Sequence, residues 1–170
     1  MENKKILVAY FSHKGENYIN GKIVDITIGN TKIIAEMIHE IKGGDLFEIE
    51  TVIDYPREYN ITTSLAKDEL MNKARPKLKS HIENIDNYDV IYLGFPNWWN
   101  TMPMAVFTFL EDHNLSEKTI IPFCTHEGSG MGRSEKDIKN ICPNSIIGKS
   151  IAIYGSTVKN SFQSIKSWLK

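Results

Sequence analysis

Cysteine is scarce in this sequence: its 170 residues include two, Cys124 and Cys142. That is too few for a disulfide scaffold, and the pair lacks the spacing of a zinc site. Both are read as reduced thiols. Neither sign of charge dominates. Twenty basic residues against 21 acidic ones leave a formal charge of −1, which gives no footprint for wrapping nucleic acid or gripping an anionic membrane. Long apolar runs are also missing. The run Ile6 to Phe11 follows a polar, basic start, Met1 to Lys5, and stops at Ser12-His13-Lys14, short of signal-peptide length. Nothing else approaches the ~20 apolar residues of a membrane span. The histidines His13, His39, His81, His113 and His126 lack the two-on-one-face spacing of a metal site. A soluble cytoplasmic protein is expected, with no nucleic-acid or membrane partner.

The length fits one domain spanning residues 1–170. Ile6 to Phe11 is a continuous apolar run bounded by polar residues, the pattern of a strand covered on both faces of a parallel sheet. Val90 to Phe95, Ile120 to Cys124 and Ile151 to Tyr154 read the same way, and the more mixed Leu46 to Glu50 reads as a strand nearer an edge. Helical periodicity follows Asn30-Thr31, where Ile33, Ile34, Met37, Ile38 and Ile41 recur before a Gly43-Gly44 stop. Further helices are expected over Tyr59 to Lys73, Met104 to Leu110, Arg133 to Ile141 and Ser161 to Lys170. Strands alternating with helices imply right-handed crossovers and an α/β, doubly wound three-layer sandwich. Gly15 to Gly29 breaks the alternation as an insertion between first strand and first helix, far longer than the usual ~2–6-residue loop. Its middle, Lys22 to Ile28, alternates polar and apolar residues and reads as a short extra strand or ribbon.

In such a sheet, ligands collect beyond the carboxyl ends of the strands. Three loops qualify. The first carries Ser12-His13-Lys14-Gly15 and then Gly29-Asn30-Thr31, where a helix N-terminus with hydroxyl and amide side chains makes a phosphate cradle. The competing reading is that Asn30 or Thr31 is simply an N-cap. The second loop is Gly94-Phe95-Pro96-Asn97-Trp98-Trp99-Asn100-Thr101-Met102-Pro103. Side chains of adjacent tryptophans diverge, so at least one should face a flat conjugated ligand or a partner. Asn97 and Asn100 offer hydrogen bonds to a polar ring edge. The third loop, Thr125-His126-Glu127-Gly128-Ser129-Gly130-Met131-Gly132, is dense in glycine, which permits close backbone approach to a ligand and equally suits a flexible surface turn.

These pieces, in this order, resemble the flavodoxin-like flavoproteins, in particular short single-domain flavodoxins with a Pro-x-Trp-Trp loop. The matching segments are Tyr10-Phe11-Ser12, Gly29-Asn30-Thr31 with Ala35-Glu36-Met37-Ile38, Gly94 to Trp99, and Thr125 to Gly130, so the similarity runs from about Ile6 to Tyr154. The resemblance implies a five-stranded parallel sheet of order 2-1-3-4-5 and non-covalent FMN. Ser12, Asn30 and Thr31 would hold the phosphate. Pro96, Asn97, Trp98, Trp99 and Asn100 would flank the isoalloxazine, with Thr125, His126, Glu127, Gly128, Ser129 and Gly130 on its other side. His13, Lys14 and Asn17 complete the candidate cofactor set. Two features depart from the family pattern. Eighteen residues separate Ser12 from Thr31, so the insert either folds outward and leaves the cradle intact, or brings Lys14, Glu16, Asn17 or Tyr18 into the site. Asn100 stands where the relatives commonly have glycine; asparagine tolerates positive φ better than most residues.

The function implied is one-electron shuttling to redox partner proteins or small electron acceptors, with no catalytic acid or base. A ring stacked on indole and far from cations would have a potential below that of free FMN. The balanced charge keeps a second possibility open, an FMN-dependent NAD(P)H:quinone-type oxidoreductase, and a non-flavin interaction module ranks third. A phosphoacceptor receiver is disfavoured, because Ser12-His13 and Pro96-Asn97 stand where it needs acids. A cysteine phosphatase is disfavoured because Cys124 and Arg133 are nine apart rather than six. Cys124 reads as a small core residue.

Overall fold

The computed structural model describes residues 4–170; Met1 to Asn3 of the polar start lie outside them. β1 (Ile6–Tyr10) is followed by β2 (Gly15–Ile19), β3 (Lys22–Ile26), α1 (Asn30–Lys42), β4 (Asp45–Glu48) and α2 (Tyr59–Met71). Then come β5 (Val90–Pro96), α3 (Met104–Asp112), β6 (Thr119–His126), α4 (Ser134–Ile141), β7 (Ile146–Ile147), β8 (Ile151–Tyr154) and α5 (Phe162–Trp168). Every strand and helix end expected for the main sheet and its covering helices falls within two residues of its observed position.

β1 is apolar throughout because both of its faces are covered. Leu7 and Ala9 point into a core with Ile91, Leu93, Phe95, Phe109 and Ile120. Val8 and Tyr10 point the other way, into one with Ile34, Ile38, Tyr92, Phe123 and Ile165. The alternation is the strand period of two. Ile34 and Ile38 sit one turn apart on α1 and are fully buried, each contributing about 1.5–3 kcal/mol of apolar burial. α1 stops at Gly43, whose φ of 70° suits glycine and whose N–H closes on the His39 carbonyl.

The main sheet is parallel, in the order β4-β1-β5-β6 with β7 and β8 both pairing β6. The expected order differs in one detail, since the fifth position holds two short strands instead of one. Thr119 and Ile120 pair with Ile146 and Ile147, and Phe123 pairs with Ile151. Residues 148–150 therefore lie opposite Ile121 and Pro122 alone. An extra residue beside a proline that cannot donate to a ladder is the setting of a bulge.

The insertion is a separate antiparallel ribbon, β2 with β3. It begins earlier than the Lys22 to Ile28 alternation indicated. Asn20 and Gly21 both have positive φ, 49° and 80°, the two-residue turn whose twist matches a hairpin. Among the described residues, no helix is long and apolar enough to cross a membrane.

Candidate functional site

The register puts the strand ends level: Tyr10 pairs with Gly94, Pro96 with Thr125 and His126 with Tyr154. The loops that follow converge on one rim, around a cavity of about 590 Å³, inside the ~300–1,000 Å³ range of small-molecule sites.

At the end of β1 the chain runs through Ser12 and His13, departs into the ribbon and returns at Gly29. The return is tight. A Cβ on Gly29 would overlap Ser12 Oγ and lie 2.8 Å from the His13 carbonyl oxygen. The loop thus closes at the base of the insert as if the insert were absent. Gly29, not Asn30 or Thr31, is the residue before the helix, and Ser12 Oγ accepts the Lys32 N–H at 3.1 Å, capping α1 from the neighbouring strand. Thr31 Oγ1 shares a buried 2.8 Å hydrogen bond with Thr125 Oγ1, which ties the helix start to β6.

After β5 the chain makes a miniature hairpin. Trp98 and Thr101 exchange backbone hydrogen bonds at 2.9 and 3.3 Å, and the two residues between them have positive φ, 54° at Trp99 and 70° at Asn100. For a bulky residue such as Trp99 this conformation costs about 1–2 kcal/mol. Trp98 is wedged edge-to-face against Phe11 and Tyr55, with ring centroids 5.2 and 5.1 Å away. Trp99 swings outward instead: its Nε1–H donates to the Thr63 carbonyl at 2.9 Å, and Lys67 Nζ lies 5.1 Å from its ring. Both rings still border the cavity. Asn97 joins this loop to the glycine loop, since Nδ2 donates to the Gly130 carbonyl at 2.8 Å and Oδ1 accepts the Asn100 N–H at 3.0 Å. One N–H and one oxygen lone pair of its amide are thus engaged within the protein.

His126 shapes the glycine loop. Its Nδ1 accepts N–H groups from Gly128 and Gly130, at 2.9 and 3.0 Å, so the neutral ring carries its proton on Nε2. Burial lowers its pKa from the usual 6.5, with Glu127 opposing. Burial likewise lowers His13, against the Pro56 carbonyl that its Nε2–H reaches at 2.9 Å. Burial pushes the Cys124 thiol, beneath the loop, up to about 12. Glu127 turns away from the loop: Oε1 accepts the Ser156 N–H at 2.7 Å and Oε2 the Asn20 N–H at 3.1 Å.

Thirteen of the candidate residues line the cavity: His13, Asn17, Asn30, Thr31, Pro96, Asn97, Trp98, Trp99, Asn100, Thr125, His126, Glu127 and Ser129. Gly128 and Gly130 shape its rim without lining it. Ser12 and Lys14 border a second hollow of about 570 Å³, which shares His13 with the first. Of the residues the insert was expected to bring, Glu16 and Tyr18 line the main cavity with Asn17, so the insert both leaves the loop closed and adds a wall. Sequence reasoning missed α2, which contributes Tyr59, Thr62, Thr63 and Ala66. The available signal was the pair of small residues four apart, Thr62 and Ala66, where a helix facing a core would carry larger side chains. Among the described lining residues there is no lysine or arginine; Glu16 and Glu127 are the carboxylates.

A parallel α/β sandwich with a cavity at its strand ends, walled by indoles and by a helix N-terminus, defines the flavodoxin-like class. The chain belongs to the flavodoxin family, whose profile matches residues 5–170. Among solved structures it is similar to a candidate flavoprotein of Bacteroides eggerthii DSM 20697, at 33% identity, with a TM-score of 0.79 over 98% of this chain and 96% of that one. A candidate flavoprotein of Bacteroides uniformis ATCC 8492 is 30% identical, with a TM-score of 0.77 over 99% of both chains. A flavoprotein of Lactobacillus acidophilus NCFM, solved in complex with FMN, shares the fold at 20% identity, with a TM-score of 0.66 over 94% of this chain and 99% of that one. No curated protein matches the chain.

Proposed function

We propose that the chain binds FMN non-covalently in this cavity and carries electrons to redox partner proteins or small acceptors. One observation carries the reading: in a flavodoxin-family chain, a cavity of about 590 Å³ runs between the two tryptophans and the N-terminus of α1. The residues fit the group. The closure of Ser12-His13 on Gly29 leaves no room for a Cβ and brings the strand end to the helix start, where unpaired amides favour a phosphate. Asn30 and Thr31, which line the cavity, are the side-chain groups nearest that phosphate, while Ser12 caps the helix from outside the lining. Trp98 and Trp99 supply apolar faces for a flat ring, and the Asn97 bridge fixes the spacing between their loop and the glycine loop. Bound FMN supplies reversible uptake of electrons at its ring system, chemistry that no side chain here provides. The lining lacks lysine and arginine and holds Glu16 and Glu127, which disfavours added negative charge and supports a potential below that of free FMN.

A second reading, an FMN-dependent reductase of quinone-type acceptors, draws on the extension of the cavity past the strand ends. There it is lined by Tyr18 of the ribbon and Tyr59, Thr62 and Thr63 of α2, and a formal charge of −1 supplies little long-range steering towards a protein partner. The test is purification followed by visible absorption. Yellow protein that releases FMN on denaturation is expected, and a colourless preparation that ignores added FMN overturns the proposal. Rapid oxidation of NAD(P)H with a quinone would favour the reductase over the carrier.

A further inference from the structure

We propose that the β2–β3 ribbon is a strap across the cavity and that Glu127 is its latch, a positioning residue that sets how fast the cofactor enters and leaves. The proposal rests on the reading of the cavity as an FMN site.

The ribbon pairs only with itself and takes no place in the main sheet. A lone two-stranded ribbon is marginal in water, so contacts at its ends must hold it in position. At the base they are numerous. The Glu16 N–H donates to the Arg57 carbonyl at 2.8 Å, and Glu16 Oε2 accepts the Tyr59 N–H at 2.8 Å. Arg57 Nη2 reaches both carboxylate oxygens of Asp25, at 2.8 and 2.6 Å. Gly15, at φ 102°, packs so closely on Arg57 that a Cβ would lie 2.8 Å from its carbonyl oxygen. Five residues of strand reach about 16 Å from this base. At the tip, among the described residues, one hydrogen bond joins the turn to the body: Asn20 N–H to Glu127 Oε2 at 3.1 Å. The other Glu127 oxygen accepts the Ser156 N–H at 2.7 Å, which anchors the latch to the segment after β8.

Glu16, Tyr18 and Glu127 border the same cavity. The ribbon therefore runs from the start of α2 to the loop after β6 with the cavity beneath it. It is hinged where its bonds are many and released where there is one. Unlatching lowers the barrier to passage in both directions. A residue that grips the cofactor would instead change release alone.

The experiment is stopped-flow binding and release of FMN in wild type, Glu127→Ala and Glu127→Gln. In Glu127→Ala both rates should rise about tenfold, the equivalent of one charge-assisted hydrogen bond, and their ratio should stay within about threefold. Glu127→Gln keeps an acceptor, so its rates should rise less. Acceleration of release alone, or no change in either rate, overturns the latch. Hydrogen exchange of the ribbon amides, measured on flavin-free protein, tests the strap without FMN: faster exchange in Glu127→Ala supports it and unchanged exchange overturns it. Wild type that takes up no FMN would end the cofactor reading, while the exchange result would still judge the strap.

Discussion

Replacing Gly29 by alanine probes the closure beside the proposed phosphate site. The backbone at Gly29 has φ −66° and ψ 148°, which alanine adopts freely, so any effect is one of space. The added Cβ overlaps Ser12 Oγ and meets the His13 carbonyl oxygen at 2.8 Å and its carbon at 3.0 Å. Ser12 can rotate away, at the expense of its hydrogen bond to the Lys32 N–H. The His13 carbonyl is backbone and must shift by about half an ångström to restore ordinary contact. Overpacking of this kind costs about 1–3 kcal/mol, or a fall in Tm of roughly 2–12 °C in a domain of this size. Separating the strand end from the helix start should weaken FMN at least about tenfold and leave riboflavin, which lacks the phosphate, nearly unaffected. Titration of both flavins, with thermal melts, reads the two effects. The double variant Ser12→Ala with Gly29→Ala should recover part of the Tm but not the FMN affinity. Wild-type Tm and FMN affinity in Gly29→Ala would refute the reasoning, and equal weakening of both flavins would place the phosphate elsewhere.

The two tryptophans should separate cleanly in mutagenesis. Trp98→Ala removes a half-buried wedge and should cost about 2–4 kcal/mol in urea denaturation, whereas Trp99→Ala gives up one exposed hydrogen bond and a cation–π contact and should cost about 1 kcal/mol. A larger loss at Trp99 would contradict the packing described. Acid should weaken the rim. His13 and His126 both have pKa values lowered from 6.5, so their contribution is complete above that pH and is lost as pH falls below it through the folded-state values. Denaturation midpoints should therefore drop between pH 7 and pH 5, with a smaller drop in His126→Gln; a midpoint that rises on acidification would run against the sign. Burial raises the thiols of Cys124 to about 12 and Cys142 to about 11, so iodoacetamide at pH 8 should leave the native protein unlabelled. Stoichiometric labelling without unfolding would count against that burial.

The sheet was legible because its strands are buried on both faces and so read as continuous apolar runs, Ile6 to Phe11 most plainly. α1 was legible from its 3.6-residue period and its Gly43-Gly44 stop. The three rim loops could be located because each follows a recognisable strand. Illegible was what each side chain does once the loops meet. Asn97 lines the cavity as expected, but its amide also ties Gly130 to Asn100, and a bond between loops 33 residues apart leaves no local pattern. Ser12 was expected at the phosphate; its hydroxyl instead caps α1 at Lys32, and the residue borders the second hollow. β2 escaped notice because Gly15 to Ile19 has no core face to impose alternation; the Asn20-Gly21 pair was the signal available for the turn. α2 was visible as a helix, but its direction across the rim depends on Trp99 and Tyr55, whose contacts with Thr63 and Glu69 are tertiary.

Titration of flavin-free protein with FMN, followed by flavin fluorescence, tests the central claim most directly. Binding should saturate at one FMN per chain, with the emission quenched by the adjoining indoles. Emission that rises in proportion to added FMN, without saturation or quenching, would contradict it.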